Sequence, residues 1–368
     1  MPFSIRTPGE IAAQLRTAFD GALEGALARL WPNNVAISAK AYGGAVGGAY
    51  DHQDWIARQI FVHSCDDEVL EDHGADLELP IRQASAASGE VVATAAAAAA
   101  IARGTILTRA DGRAYRLATD VFAAGPGEVA LPVVALEAGS ASVALPGVAL
   151  ALQGVPEITG AVVGASGLTG GADRESFAAY RARLKFFKAY RPGHARPSDY
   201  VIWASEVSGV SRVFVERRPF GPGTVRLYPL FDGIYENGIA PAGEIARVKS
   251  HLELVGASGV ADIIVAAPEA LPVDVTISGL SPNKIATRNA IEIEIVEMFA
   301  RRARVAGIDP GHPAMPFLAT SQTFSRSWIG QAVANAAGED RHVLVEPGSD
   351  VAVAAGRLPV PGALTFSG

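Results

Sequence analysis

The sequence predicts a multi-domain α+β protein with a helical N-terminal arm, a β-rich domain and two α/β sandwich-like units. Near the N-terminus, apolar residues recur every three to four positions, which is the spacing of an amphipathic helix. From Gly89 the spacing changes to two and turn residues become frequent, as in antiparallel strands. After Gly171, helical and strand-like segments alternate, which favours sheets covered by helices.

Domain boundaries are expected where these patterns change. The predicted domains are a helical arm at 1–85, a β-rich domain at 86–170, a central α+β domain at 171–267 and a C-terminal α+β domain at 268–368. With 368 residues, 49% of them hydrophobic and 19% charged, the chain is long enough to bury more than one core. The composition therefore excludes a disordered or fibrous protein.

The N-terminal arm begins with a helix-start signal, Thr7-Pro8-Gly9-Glu10, in which Thr caps, Pro occupies the first turn and Glu suits the helix dipole. An apolar stripe follows, made of Ile11, Leu15, Phe19, Ala22, Ala26 and Leu30. We expect this stripe to pack against helices of another subunit. The glycine pairs between 43 and 48 are interpreted as a flexible connection to a second helix, Ala49 to Ile60, and Ser64 to Asp67 cap a third helix.

Dense turn residues indicate strands from Gly89 to about Gly171. The run Ala95 to Ala100 has high helix propensity, but two valines precede it and a Gly-Thr turn follows it, so we assign it to strand and loop. A Gly-Gly-Ala-Asp sequence at 170–173 then introduces a helix from Arg174 to Ala189, with Asp173 as its expected cap.

The central and C-terminal regions read as alternating helices and strands. The central elements are a helix capped by Ser198-Asp199, strands Arg212 to Glu216 and Thr224 to Tyr228, helix Glu244 to Val255 and strand Ala261 to Ala267. The C-terminal elements are strand Val273 to Ser278, helices Asn283 to Arg302 and Ser325 to Ala336, strand His342 to Glu346 and a Pro/Gly-rich tail.

Charge and cysteine content exclude several classes of partner and of structural site. The formal net charge of −7 offers no basic excess to neutralise a phosphate backbone, so we expect no nucleic-acid partner. The single cysteine, Cys65, excludes an intramolecular disulfide and a Cys-based zinc site. No window of about eighteen residues is apolar throughout, so membrane insertion is not expected and the protein is interpreted as soluble.

Two segments are candidate chemical sites. The His, Asp and Glu residues between Asp51 and His73, with Cys65, could hold a metal, but the acidic residues fall on successive positions that point all around a helix, so a solvated helical face is favoured. The glycines between Gly164 and Gly171 lack both a nucleophile elbow and a phosphate-loop Lys, which favours a hinge before a helix. No catalytic residue, metal or cofactor is therefore assigned.

The segment YPLFDGIYENG combines aromatic side chains with carboxylates. This composition is typical of a sugar-binding cleft and could supply a glycosidase acid and base. Because the segment connects a strand to a helix, we favour a surface loop in which Tyr228, Phe231 and Tyr235 contact another subunit. A ligand contact at this loop remains an alternative.

Three blocks carry a resemblance: GGADRESFAAYRARL at 170–184, SDYVIWASEVSGVSRVFVE at 198–216 and GTVRLYPLFDG at 223–233. With these blocks, nearly the whole chain resembles the baseplate J-like family of contractile phage tails and related injection devices. The resemblance implies a structural wedge subunit without enzymatic activity that joins wedges into a ring. Implied partners are other wedge subunits, including copies of itself, and sheath and tail-tube hub proteins.

That resemblance also implies a location in the tail baseplate of a virion, after synthesis in the cytoplasm of a bacterial host. The rival class is a carbohydrate-binding or cell-wall-degrading tail protein, which would use the aromatic and acidic loop at 228–236. Paired carboxylates that face one cleft would favour the rival class.

Overall fold

A computed structural model describes residues 6–25, 30, 33–193, 195–256 and 261–367. The chain forms two compact units, one of residues 1–81 with 176–188 and the other of residues 82–175 with 189–368. The finer division into four domains stays a prediction. Within the described ranges, none of the helices combines the length and the apolar character needed to cross a membrane.

Helices and strands alternate as an α+β chain should, which confirms the predicted fold class. The helices are α1 Pro8–Ala22, α2 Asn34–Gln59, α3 Asp67–Ala75, α4 Phe177–Ala189, α5 Pro197–Ser205, α6 Ala242–Val255, α7 Ile285–Arg302 and α8 Arg326–Asn335. The strands are β1 Ser88–Ala95, β2 Ala99–Ile101, β3 Ile106–Arg109, β4 Ala114–Leu117, β5 Val121–Ala123, β6 Gly127–Ala135, β7 Ala149–Leu152, β8 Ile158–Thr169, β9 Arg212–Arg217, β10 Thr224–Leu230, β11 Asp262–Val265, β12 Glu269–Ser281, β13 Ala306–Asp309, β14 Gln322–Phe324, β15 Arg341–Glu346, β16 Val351–Val353 and β17 Arg357–Ser367.

Helix α1 begins at the predicted cap but ends earlier than the apolar stripe. The Thr7 hydroxyl accepts a hydrogen bond from the Glu10 backbone N–H at 3.3 Å, and the Glu10 carboxylate accepts one from the Thr7 N–H at 2.8 Å. After Ala22 the backbone becomes extended at Leu23, and Gly25 has a φ of 79°. A left-handed glycine ends a helix readily because it carries no side chain to clash.

The apolar stripe is therefore split. Ile11 is buried, Leu15 and Phe19 are half-buried, Ala22 is exposed, and Leu30 lies beyond the helix and is exposed. Ala26 lies outside the described residues. Part of the stripe thus packs within the chain, and its role as a contact with another subunit stays a prediction.

The expected flexible connection at the glycine pairs is wrong, since α2 runs straight through it. Gly43 and Gly47 are buried where α1 crosses. A Cβ atom at Gly43 would lie 2.8 Å from the Pro8 carbonyl oxygen, and one at Gly47 would lie 2.7 Å from the Pro8 ring. Glycine costs helix stability of about 1 kcal/mol relative to Ala, but here it lets two helix backbones approach closely.

Helix α4 packs in the same unit as α3, although its place in the sequence assigns it to the central domain. Tyr180 is fully buried and donates to the Leu79 carbonyl at 2.8 Å, while Gly74 leaves room for its hydroxyl. Arg181 pairs with Asp67 at 2.8 Å. Chain order could not predict this, because the packing partner lies about a hundred residues away.

Two expected helix caps also differ in detail. The Asp173 carboxylate accepts from the Ser140 N–H and hydroxyl, at 3.0 and 2.6 Å, and these bonds lower the pKa of Asp173. The N-terminal bond of α4 is supplied by the Ser176 hydroxyl, which accepts from the Ala179 N–H. At α5, Asp199 lies in the first turn and not at the N-cap. Its carboxylate accepts a hydrogen bond from the N–H of the N-cap residue, Arg196, at 2.9 Å.

The predicted β-rich region is a closed barrel of six strands in the order β1-β6-β4-β3-β7-β8. Alternate residues point inward and form an apolar core in which Tyr115 is fully buried and donates to the Ser142 carbonyl at 2.8 Å. The assignment of Ala95 to Ala100 to strand and loop is confirmed, because β1 ends at Ala95 and β2 begins at Ala99. Pairing with β6 and β8 overrides the helix propensity of the alanines.

The second unit also contains two three-stranded sheets, besides the two-stranded sheets β2-β5 and β14-β16. In the first, β10 pairs antiparallel with β9 and parallel with β11. In the second, β12 lies between β15 and β17, and its buried face joins the core formed with α7 and α8. The expected irregular tail is instead the edge strand β17, which tolerates Pro359 and Pro361 because an edge strand has one unpaired side.

Candidate functional site

The aromatic segment after β10 is a compact, buried turn. The Phe231 N–H donates to the Gly238 carbonyl at 2.8 Å, which closes the loop. Phe231 is 0% exposed, Tyr228 3% and Tyr235 8%. The expectation that these three side chains lie at the surface is therefore wrong, and their contact with another subunit stays a prediction.

Local packing explains this burial. The Phe231 ring lies against Gly209, where a Cβ atom would come within 3.1 Å of the ring, and it meets the Tyr235 ring edge-on at 6.0 Å. Gly209 and Gly238 both have positive φ values, of 90° and 73°. The glycines thus provide the space and the backbone turns that place the aromatic rings inside.

Glu244 on α6 is the centre of a buried hydrogen-bond network. Its Oε1 accepts from the Tyr235 hydroxyl at 3.0 Å and from the Gly170 N–H at 2.8 Å, and its Oε2 accepts from Arg247 Nε at 2.8 Å. Arg247 also donates to the Ser208 carbonyl. The carboxylate is 0% exposed, so it ties the end of β8 to the aromatic loop and to α6 from inside the protein.

This environment changes the ionisation of Tyr235. Burial raises the pKa of the Tyr235 hydroxyl, and the negative charge of Glu244 raises that pKa further. The hydroxyl thus stays protonated and remains a donor to Glu244.

Asp232 of the same loop is held by Arg212. The carboxylate accepts from Arg212 Nε at 2.7 Å and Nη2 at 2.8 Å, and from the Ser211 hydroxyl at 2.6 Å. Arg212 Nη1 also donates to the carbonyls of Ala300, in the last turn of α7, and of Ala303, the residue that follows the helix. The ion pair fixes the loop against the C-terminal end of that helix.

This arrangement does not favour the alternative interpretation of the loop as a sugar-binding cleft. Its three aromatic rings, Tyr228, Phe231 and Tyr235, are at most 8% exposed, so they offer little ring surface on which a sugar could stack. Its first carboxylate, Asp232, already has an arginine partner. Glu236 is exposed at the rim of the loop and does not face a second free carboxylate within the segment.

Two more buried carboxylates join β9 and β10 to β13. Glu216 accepts from Arg226 at 3.2 Å and from the Ile308 N–H at 2.8 Å. Asp309 accepts from Arg217 Nε and Nη2 at 2.7 and 2.6 Å. The bond from Ile308 to Glu216 and the pair of Arg217 with Asp309 each link residues 92 positions apart, and the fork of Arg217 provides the favoured bidentate geometry.

The pKa of Asp309 is lowered. Burial alone would raise it, but the hydrogen bonds from the Arg217 side chain and from the Gly311 and Arg217 N–H groups outweigh burial. A carboxyl with a folded pKa below its unfolded value of about 3.9 stabilises the protein above that pH. This contribution is lost as pH falls through the folded pKa.

Asp309→Asn should therefore lower stability near neutral pH and flatten the loss of stability between about pH 4 and the folded pKa. Urea unfolding midpoints measured from pH 7 to acid would check this. Asp340→Asn, at an exposed position, is the matched control and should leave the pH profile parallel to that of the unchanged chain. A profile for Asp309→Asn as steep as that of the control would contradict the assignment.

In the candidate metal cluster at 51–73, Asp66 and His73 make hydrogen bonds that hold α2 and α3 together. Asp66 accepts from Trp55 Nε1 at 2.8 Å and from Gln59 Nε2 at 3.3 Å, and His73 Nε2 bonds to the Gln59 carbonyl at 2.7 Å. Across the described part of the chain, no three His, Cys, Asp or Glu residues are grouped as metal ligands. Cys65 is buried beside Arg181.

The glycines before α4 also pack closely. The Gly170 N–H is bonded to Glu244, and a Cβ atom at Gly171 would lie 2.5 Å from the Ser142 hydroxyl. In the residues that the structure describes, every buried side-chain nitrogen and oxygen has a hydrogen-bond partner. The buried carboxylates of Glu216, Glu244 and Asp309 thus connect segments that are distant in the sequence through hydrogen bonds.

Sequence reasoning missed these ties. Glu216, Glu244 and Asp309 carry no local pattern that distinguishes them from exposed acids. The one available signal was the position of Asp309 before Pro310 and Gly311, where a carboxylate commonly caps a turn. Their arginine partners could not be assigned without the fold.

Comparison with known proteins matches this same region. Residues 195–274 match the model of the baseplate J-like central domain. The match includes β9, β10, the buried aromatic loop and α6, which are the elements that Asp232 and Glu244 tie together.

Relatives match over most of the chain. Baseplate protein gp47 of Escherichia phage Mu is 30% identical over 317 residues, covering 83% of this chain and 88% of that protein. The Mu-like prophage FluMu protein gp47 of Haemophilus influenzae is 28% identical over 345 residues, covering 90% of each. A chain of the anti-feeding prophage baseplate aligns with 97% of this chain and 90% of its own length, at 11% identity and a TM-score of 0.39. The similarity to the phage Mu protein, together with the central-domain match, shows that this chain belongs to the baseplate J-like family.

Proposed function

We propose that this chain is a structural wedge subunit of a contractile phage tail baseplate, which joins with further copies and with other subunits into a ring around the tail tube. The similarity to baseplate protein gp47 of phage Mu, which extends over 83% of this chain, carries the proposal. Sheath and hub proteins are the further partners. Assembly takes place in the host cytoplasm, and the finished location is the virion baseplate.

The buried ties support a structural role. Glu244 and Asp232 fasten the aromatic loop to the barrel end and to α7, and Asp309 fastens β13 to β9. A subunit that transmits force in a contractile device benefits from domains that are internally rigid. Buried ion pairs fix one arrangement of the segments that they join, which is the property such a subunit needs.

Exposed apolar side chains of the N-terminal unit support an assembly contact. They comprise Ile37, Tyr42, Val46, Ile56, Ile60 and Phe61, all between 39% and 61% exposed. Tyr42, Val46, Ile56 and Ile60 lie on one side of α2, within about 80° of one another around the helix axis, whereas Ile37 lies on another side. Exposed apolar side chains that share one side of a helix mark protein interfaces. We propose that this surface contacts helices of another baseplate subunit.

The test replaces two of these residues with charged ones. The gene for this chain is deleted from the genome that produces the tails, and the unchanged chain or a variant is expressed from a plasmid. Tyr42→Asp with Ile56→Asp should abolish the yield of complete tails, because burying two carboxylates in an apolar interface costs several kcal/mol. Particles are counted by negative-stain electron microscopy, and the melting temperature of the purified variant is measured.

The matched control places the same two charges on other exposed apolar positions, Leu254→Asp with Ile285→Asp, which are 82% and 78% exposed. Tail yield should stay near that of the unchanged chain. Normal tails from a strain without the gene would contradict a baseplate role. Normal tails from Tyr42→Asp with Ile56→Asp would instead contradict the helical contact.

A further inference from the structure

A groove of about 360 Å³ lies between the C-terminal end of α7 and helix α8. Its floor is apolar and buried, formed by Met298 and Ala332. Its rim carries Arg301 and Arg302 from the last turn of α7. This volume lies at the lower end of the range of about 300–1,000 Å³ that ligand sites occupy, enough for a few side chains of a bound segment.

The rim offers hydrogen-bond donors that the chain does not use. Two amide side chains, Gln331 and Asn335, complete the rim opposite the arginines. Within the described ranges, the side chains of Arg301, Gln331 and Asn335 make no hydrogen bond or ion pair, and Arg302 contacts only an aromatic ring. Glu297, one turn before Arg301, forms no ion pair with it in that part of the chain.

Capping of α7 does not explain the two arginines. Arginines in the last turn of a helix often bond to its free carbonyls. In this protein Arg212 bonds to carbonyls at the end of α7, since its Nη1 donates to the Ala300 and Ala303 carbonyls at 3.1 and 3.0 Å. Arg301 and Arg302 are therefore free to bind a ligand in the groove.

One wall of the groove is rigid. The guanidinium of Arg302 lies 5.4 Å from the centroid of the Trp328 ring, in cation-π contact. Trp328 is itself held edge-on by Phe324 at 5.5 Å, and Phe324 stacks on buried Phe299 at 4.7 Å. This series of rings orients Arg302 before a ligand arrives, which lowers the entropic cost of binding.

From this geometry we propose that the groove binds an acidic peptide segment of another baseplate subunit; the proposed function enters only through the identity of that partner. The only charged residues that line the groove in the described part of the chain are the two arginines, and arginine forks match carboxylates. The amides add donors to the same ligand, and the tryptophan edge packs against its aliphatic stem. Nucleic acid is less well matched, because a phosphate backbone requires an extended basic track and the chain carries a net charge of −7.

The test measures binding of a fluorescein-labelled hexaglutamate peptide to the full chain by fluorescence anisotropy. We expect hexaglutamate to bind and a matched hexaglutamine peptide not to bind. Arg301→Gln with Arg302→Gln should weaken binding by about tenfold or more, because two charge-assisted contacts are lost. Gln331→Ala with Asn335→Ala keeps the charge and should weaken it less.

The control variant is Arg103→Gln with Arg116→Gln, which removes the same charge from exposed arginines of the barrel. It should change the affinity by less than about twofold, since distant exposed charges are largely screened. An equal loss in both double variants would overturn the proposal, as would the absence of hexaglutamate binding. Tighter binding of a thymidine heptanucleotide that depends on Arg301 and Arg302 would also overturn it, in favour of nucleic acid.

These outcomes are separate from those of the proposed function. A chain that supports tail assembly but does not bind hexaglutamate would remove the groove proposal alone. A chain that binds hexaglutamate through Arg301 and Arg302, in a strain whose tails form without the gene, would remove the baseplate role alone.

Discussion

Phe231→Ala should lower the free energy of unfolding by about 3–5 kcal/mol, the range for a fully buried phenylalanine whose removal leaves a cavity. Phe231 is 0% exposed and packs against Tyr235 and Gly209. Its position on a connection between a strand and a helix suggested instead a surface residue with little effect on stability. Urea unfolding followed by tryptophan fluorescence would measure the change.

Phe122→Ala is the matched control, because Phe122 is 68% exposed on β5. Its loss should change stability by no more than about 0.5 kcal/mol, as at other surface positions. If Phe231→Ala is as mild as Phe122→Ala, the loop is open in solution and its aromatic rings are available to a partner. A severe effect instead places Phe231 in the core of its own unit.

Glu244→Ala should cost about 3–5 kcal/mol, as when one partner of a buried ion pair is removed. The substitution leaves the Tyr235 hydroxyl and the Gly170 N–H without their acceptor, and Arg247 keeps only the Ser208 carbonyl. Glu244→Gln keeps one acceptor oxygen and should cost less. Stability measured by urea unfolding gives the size of the effect.

A matched control lies on the same helix. Glu253 is exposed and pairs loosely with Lys249 at 3.7 Å, so Glu253→Ala should cost no more than about 1 kcal/mol. Equal effects of Glu244→Ala and Glu253→Ala would show that the buried network contributes little. A large difference would show that the link from the barrel end to the aromatic loop holds the second unit together.

Substitutions of buried residues and substitutions of exposed residues should affect different measurements, the first stability and the second tail assembly. Substitutions in the buried loop are expected to act through folding, whereas exposed positions such as Tyr42 and Ile56 are expected to act through tail yield alone. A purified variant that melts normally yet fails in assembly identifies a contact residue. One that melts early identifies a residue of the core.

Local patterns in the sequence determined the elements and the family. The cap at Thr7 and Glu10, the period-two strands of the barrel and the alternation of helices and strands after Gly171 all depend on neighbours within a few residues, and the structure has them. The family resemblance lay in contiguous blocks as well. Such features can be read from the chain because the interactions that create them are local.

Only the tertiary structure decided burial and pairing. A loop position indicates exposure on average, yet Gly209 and Gly238 turn Phe231 inward. Glycine pairs indicate flexibility, yet Gly43 and Gly47 let α1 and α2 approach closely. The ties made by Glu244 and Asp309 join residues up to about ninety positions apart, and a contact at such separation leaves no periodic trace in the sequence because its geometry exists only after the chain has folded.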